Sequence, residues 1–349
     1  MNKFLKEIKE QPQALLNTFQ YYVDDEGNST LKSICELWNI GQFNKIIFTG
    51  MGSSYFISQA AATMLTGGGI PAFAVNAGEM LHTQYPILDK HTLLVCISQS
   101  GESYEVVQLL SRNTAHTTVI GITNEQNSTL TQQSTHTLLC HAGKEEMTST
   151  KTYITTYLVT YLLTLQLTGK NVERAIGSML ANEVKKLITT SSNYLGSSLN
   201  LLGDSNFVQI IGRGTDYASA AQSALMFMEA TKKPASALLG GEFRHGPLEM
   251  VGKGFIGILL SHSQSVTYQQ SLNLIKDILK FQGKVILITD IPSKLEHNCF
   301  QEVLIDCQYA ELFAIPAIVP VQMIVNAWAE KKRIVPGNFT HGAKVTAIE

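Results

Sequence analysis

The stretch Val95-Cys96-Ile97-Ser98-Gln99-Ser100-Gly101-Glu102-Ser103 sets the terms for the rest of the chain. Leu93 to Ile97 is an apolar run of strand length that ends at hydroxyls and a glycine, and Tyr104 to Arg112 then places Val106, Val107, Leu109 and Leu110 at helical spacing. The pattern is strand, hydroxyl loop, helix. In an open parallel sheet such a junction falls at the carboxyl edge, where ligands bind, and the first N–H groups of the helix favour an anion. Ser98, Ser100 and Ser103 add side-chain donors, so a phosphate is the expected guest.

The same alternation extends to both sides. Upstream, Lys3 to Phe19 is a helical pattern broken at Pro12, and a second helix covers Ser29 to Trp38, capped by Asn28 or Ser29 and ending near Gly41. Lys45 to Thr49 is a buried-strand signal, followed by Gly50-Met51-Gly52-Ser53-Ser54-Tyr55 and a small-residue helix from Phe56 to Leu65. Ala72 to Asn76, Thr118 to Thr123 and Thr137 to Cys140 complete five strands alternating with helices, and Tyr153 to Leu167 is the closing helix. That order predicts a doubly wound α/β unit.

The second half repeats the first. Phe207 to Tyr217 falls on Ile46 to Tyr55, both with the pattern Gly-x-Gly-[Ser/Thr]-x-Tyr in approximate register; Gly241 to His245 falls on Gly78 to His82, Ile258 to Ser261 on Val95 to Ser98, and Val285 to Asp290 on Val119 to Asn124. Blocks in the same order and nearly the same register imply two homologous α/β lobes. The join lies between about Gly169 and Gly203, through a helix containing Val184 and Leu187, and Ile315 to Trp328 closes the second lobe.

Composition narrows the class. With 349 residues, 44% hydrophobic and 15% charged, the chain can bury two cores and reads as soluble. A formal net charge of −2 gives no basic field, so nucleic acid is not an expected partner. The five cysteines show no CxxC spacing and read as buried thiols in a reducing cytoplasm. The start of the chain lacks the apolar core of a signal peptide, and no apolar run reaches the length of a membrane span. The nine histidines never adopt HxxxH or HExxH spacing, so no metal is expected, and the chain is expected to work without a cofactor.

Each candidate site has a plain structural alternative. Gly50 to Tyr55 lacks the third glycine and acidic partner of a dinucleotide fingerprint and the Lys of a Walker loop, and by itself reads equally as a tight strand-to-helix turn. Ser98 to Ser103 could be helix N-caps. Glu229 ends the small apolar run Ala218 to Met228, a buried helix, where burial would raise a carboxyl toward the range of a working base; a salt bridge to Lys232 or Lys233 is the alternative. His245 lies in a glycine-bracketed turn, Gly240 to Pro247, that presents an imidazole, unless it is an incidental loop histidine.

Taken together, Glu7 to Pro12, Gly50 to Tyr55, Ser98 to Ser103, Ser149-Thr150-Lys151, Gly241-Glu242 through Gly246-Pro247, and Ala343-Lys344 resemble the double SIS (sugar isomerase) domain family. The chain is similar to the isomerase half of glucosamine-6-phosphate synthase and to stand-alone phosphosugar isomerases, deglycases and deaminases. The resemblance implies two tandem SIS lobes, each a five-stranded parallel sheet flanked by helices in three αβα layers. It divides the chain into N-terminal helices over 1–40, lobes over 41–168 and 201–335 with a linker helix over 169–200 between them, and a tail over 336–349 that contributes to the site.

The resemblance also assigns roles. Ser98, Gln99, Ser100 and Ser103 hold the sugar phosphate, and Gly52, Ser53, Ser54, Thr148 and Ser149 line the sugar. Glu229 moves a proton between C1 and C2, His245 opens the ring from the neighbouring subunit of a homodimer, and Lys344 contacts the sugar. Two departures matter. The glutaminase half of the synthase has no counterpart in this chain, and Met226 stands where the synthase has a lysine one turn before the carboxylate. A cytoplasmic deglycase/deaminase or aldose–ketose isomerase acting on a six-carbon (amino)sugar 6-phosphate is therefore expected. A non-catalytic sugar-phosphate sensor and an ammonia-dependent synthase-like aminotransferase are the alternatives.

Overall fold

The computed structural model describes the chain apart from Asp25, Gly41, Ala115 and residues 347–349. The strands β1 (Lys45–Gly50), β2 (Ala72–Asn76), β3 (Thr92–Ile97), β4 (Thr118–Thr123) and β5 (His136–Leu139) form one parallel sheet in the order β2-β1-β3-β4-β5. The central strands β1, β3 and β4 are buried at nearly every position, because helices cover both faces; this is why they read as unbroken apolar runs rather than as alternating ones. The edge strand β5 is only partly buried.

A second parallel sheet contains β6 (Val208–Gly212), β7 (Ala235–Leu239), β8 (Ile256–Leu260), β9 (Lys284–Thr289) and β10 (Phe300–Leu304), in the order β10-β9-β8-β6-β7. From its other end this is again second, first, third, fourth, fifth strand. Two copies of one three-layer topology follow each other along the chain, as the sequence repeat requires. Contacts group Gln11–Ala181 with Thr340–Glu349 around the first sheet, and Met1–Glu10 with Asn182–Phe339 around the second.

Local readings differ from the structure where packing outweighs a breaker. The helix expected to break at Pro12 runs unbroken from Lys3 to Asp24. Proline removes one donor, but Phe4, Ile8, Leu15, Phe19 and Tyr22 form a buried stripe that carries the helix through. The second helix begins earlier than Asn28, at Glu26, and runs to Asn39; its expected stop at Gly41 lies outside the described residues. The linker is two helices, Ile176–Thr189 and Ser192–Leu202, parted where the Thr190 hydroxyl bonds back to Lys186 O at 2.8 Å.

The helix Lys151–Leu167 is buried almost all round although rich in threonine. It tolerates this because the hydroxyls of Thr155 and Thr160 donate to the carbonyls of Lys151 and Thr156 one turn earlier, at 2.9 and 2.7 Å. Against expectation, one apolar stretch does reach the length of a membrane span. Ala310–Lys331, containing the helix Ala314–Lys331, is long and apolar enough to cross a bilayer, yet 94% of its apolar window is buried inside the protein. Its Ala314 carbonyl accepts from Ser219 Oγ at 2.6 Å, so it is a core helix packed on Asp216–Thr231. All five cysteines are free: Cys96, Cys140 and Cys307 are buried, with thiols pushed up to about 12 by that burial, whereas Cys35 and Cys299 are only half-buried.

Candidate active site

β1 and β3 pair in parallel, with Thr49 opposite Cys96, and they are the strands from which the connections diverge to opposite edges of the sheet. At such a switch point the loops beyond the carboxyl ends part and leave a crevice. Gly50 to Ser54 forms one wall and Ser98 to Ser103 the other. Below them the paired strand ends lie so close that a Cβ on Gly50 would sit 2.7 Å from Ile97 O, which only glycine avoids.

The serine wall is internally organised. Ser98 is buried; its Oγ lies 2.9 Å from Ser103 Oγ and accepts the Gly101 N–H at 3.1 Å, while Ser100 Oγ accepts from Glu102 N at 3.2 Å. Ser103 precedes the helix Tyr104–Ser111 but makes no side-chain cap bond, and Gly52 likewise precedes Ser53–Gly67 without capping it. Two helix starts on adjacent strands therefore face the crevice edge uncapped by their own side chains, an arrangement suited to an anion. The Glu102 carboxylate is turned to Thr129, accepting its N–H at 2.6 Å and its hydroxyl at 2.9 Å.

A third element is the loop before Lys151–Leu167. Thr148 is buried and Ser149 half-buried, and the C-terminal tail returns to this loop. Lys344 Nζ donates to Glu145 Oε2 at 2.6 Å and to Met147 O at 2.7 Å, and lies 3.5 Å from Ser149 Oγ. Two residues later Thr346 O accepts the N–H of Tyr104, the first helical residue after the serine loop, at 3.0 Å. The tail thus joins the loop of Thr148 and Ser149 to that of Ser98 to Ser103.

Glu229 and His245 lie in the unit built on the second sheet. Glu229 sits in the last turn of Asp216–Thr231 and is half-buried, not fully buried as the apolar run implied. The Lys232 ammonium donates to the main-chain carbonyls of Glu229 and Asn338, at 2.6 and 2.7 Å, and that of Lys233 to Ser205 O. The expected turn around His245 is a short helix, Gly240–Arg244, with His245 at its C-cap; the imidazole is exposed, and Arg244 pairs with Asp277 at 2.8 Å.

The pattern of residues that defines the SIS domain matches 40–166 and, a second time, 201–325. The chain belongs to the SIS domain family. Among SIS relatives, a glutamine–fructose-6-phosphate aminotransferase (isomerizing) of Pyrococcus horikoshii is 28% identical over 99% of this chain and 57% of its own length. This chain therefore spans little more than half of that relative. Of solved structures, tagatose-6-phosphate ketose/aldose isomerase from Escherichia coli superposes with a TM-score of 0.83 at 20% identity, covering 96% of this chain and 95% of that one. Glucosamine-6-phosphate deaminase from Thermotoga maritima gives 0.73 at 22% identity, with 98% and 99% coverage.

The two SIS lobes differ where the sequence alone gave no warning. In the second, the loop after β8 and the start of Asp216–Thr231 enclose a cluster of Asp216, His262 and Asp290. His262 Nδ1 accepts the Gln264 N–H at 3.1 Å, so its proton is on Nε2, which faces Cys307 O at 2.9 Å. Asp216 accepts the His262 N–H at 3.3 Å with one oxygen while its other is buried without a partner; burial, with Asp290 nearby, pushes its carboxyl up to about 8. Glu145 was also missed. The available signal was an acid shortly before a threonine-rich helix start, a weak one in a loop carrying several polar residues.

Proposed function

We propose that this SIS protein is an enzyme that needs no cofactor and moves a proton between C1 and C2 of a six-carbon sugar or amino-sugar 6-phosphate, as a deglycase, deaminase or aldose–ketose isomerase. One observation carries the reading: two helix starts without side-chain caps flank the β1/β3 switch point, beside the hydroxyls of Ser98, Ser100 and Ser103. Those serines and Gln99 take the phosphate. Gly52, Ser53, Ser54, Thr148, Ser149 and Lys344 take the sugar hydroxyls and carbonyl oxygen.

Chemistry then needs an acid–base pair. His245 helps the ring open by carrying the O1 proton toward O5, and it does so for the neighbouring subunit of a homodimer; the exposed imidazole at a helix C-cap supports this. The Glu229 carboxylate takes the proton from the carbon next to the carbonyl or imine, leaving an enediol or enaminol, and returns it to the adjacent carbon. Where nitrogen is attached, the imine so formed adds water and expels the amine. Such proton transfer contributes on the order of 100- to 10,000-fold.

Two features favour these reactions over amination of fructose 6-phosphate. Met226 replaces the synthase lysine, and Lys344, beside the sugar loop, directs its N–H groups at Glu145, Met147 O and Ser149 rather than a lone pair at a carbonyl. The names of the Escherichia coli isomerase and the Thermotoga maritima deaminase, which share the fold, are in keeping. The test is Glu229→Gln assayed on phosphorylated amino sugars and ketoses, with solvent deuterium exchange into fructose 6-phosphate. Loss of turnover and of exchange by 100-fold or more is expected. Retained turnover ends the Glu229 assignment, and binding without exchange in the wild-type protein leaves only a sensor.

A further inference from the structure

Glu145 is buried in the loop ahead of Lys151–Leu167, with a fully buried side chain. Oε1 accepts from Thr150 N at 2.9 Å, Thr150 Oγ1 at 3.1 Å and Thr152 N at 3.2 Å, so this oxygen caps the helix from upstream. Oε2 accepts from Thr152 Oγ1 and from Lys344 Nζ. A carboxylate taken out of water needs both kinds of partner, since neutral donors alone leave its charge uncompensated. The cation comes from the far end of the chain. The tail around it has little apolar anchorage: His341 to Ala343 and Thr346 are exposed, and Val345 is half-buried. Among the described residues of the tail, its polar hold on the unit includes the Lys344 contacts and the Thr346 O bond to Tyr104 N.

We infer that Glu145 is a positioning residue: its buried carboxylate fixes Lys344 against Met147 to Ser149 and so keeps the tail strapped between the sugar loop and the first turn after the phosphate loop. The catalytic part rests on the function proposed above; the strap itself does not. The geometry explains why an acid, rather than any cap residue, stands at 145. A Thr or Asn could serve the helix start, but only a carboxylate serves the helix and the lysine together.

The experiment uses the full-length chain with Glu145→Gln, which keeps an oxygen for Thr150 and Thr152 and turns an amide toward the ammonium. Lys344→Met provides the same break from the tail side with the cap intact, should Glu145→Gln fold poorly. Both variants are expected to speed hydrogen exchange of the Tyr104 amide at least tenfold without substrate, and to leave affinity for inorganic phosphate within about twofold. On the phosphosugar that wild type turns over best, kcat falls about 10- to 100-fold with little change in KM, as expected when a contact group is displaced by about 1 Å. The double variant is no worse than Lys344→Met. Wild-type Tyr104 exchange in both variants overturns the strap, and additive losses in the double variant overturn positioning through Lys344. A wild-type protein that turns over no phosphosugar, with Tyr104 exchange still accelerated in the variants, supports the strap and overturns the substrate reading alone.

Discussion

Ser263 donates its main-chain N–H to one oxygen of Asp290 at 2.6 Å and its hydroxyl to the other at 2.5 Å. By the internal repeat, Ser263 corresponds to Ser100 of the serine loop and Asp290 to Asn124. In the first lobe the Asn124 amide turns to Gly143 O at 3.0 Å and accepts from Ala142 N at 2.9 Å. In the second, a resident carboxylate occupies the loop's donors. On the function proposed above, the duplicated fold offers one loop left for an anion and one whose donors its own carboxylate occupies.

Calorimetric titration with inorganic phosphate should accordingly give one site per chain. Ser98→Ala together with Ser103→Ala should weaken that site tenfold or more, while Ser263→Ala should leave it within twofold. A stoichiometry near two would show that Asp290 does not close the second cradle.

The stability of the chain should fall with rising pH through the titration of Asp216. Its folded carboxyl stands at about 8 against roughly 4 when unfolded, so the folded form favours the protonated acid. That contribution is fully present below about pH 4, declines through the interval, and is gone above about pH 8. Asp216→Asn should flatten the slope of unfolding free energy between pH 5 and 8 by up to about 1.4 kcal/mol per pH unit. Denaturant titrations at a series of pH values measure this; parallel slopes for variant and wild type would contradict it.

Gly101→Ala should damage the serine loop specifically. Gly101 has φ +66, and a Cβ there would sit 2.1 Å from Ser128 Oγ. A left-handed alanine costs about 1–2 kcal/mol before any clash. The expected result is a loss of about 2–3 kcal/mol in stability together with at least tenfold weaker phosphate binding. Adding Ser128→Ala should recover part of the loss, since it removes the clash but not the backbone strain.

Thiol labelling of the native protein at pH 8 should reach Cys35 and Cys299 and spare Cys96, Cys140 and Cys307. The last three are buried with thiols pushed up to about 12, so both access and thiolate are scarce. Peptide mass mapping after brief labelling distinguishes the two groups, and modification of Cys96 at the rate of Cys35 would refute the assignment.

The fold was legible because strands covered on both faces write themselves as uninterrupted apolar runs. Ala72–Asn76 and Thr118–Thr123 have the ends expected of them, and four spaced blocks carry the duplication in the sequence itself. An error fell where a local signal met packing: Pro12 was overruled by the buried stripe around it. The serine loop was legible as a strand-to-helix junction. Glu145 was not, because nothing nearby in the chain announces a partner 199 residues away.

From the amino-acid order alone come the two sheets, their duplication and the position of a phosphate-suited loop, since hydrophobic periodicity and turn chemistry are properties of neighbours along the chain. Only the folded molecule decided which loop's donors a carboxylate occupies, where the tail lysine is held, and which carboxylate keeps its proton. Those outcomes depend on burial and on charges meeting across long sequence separations, and neither is written in any local run of residues.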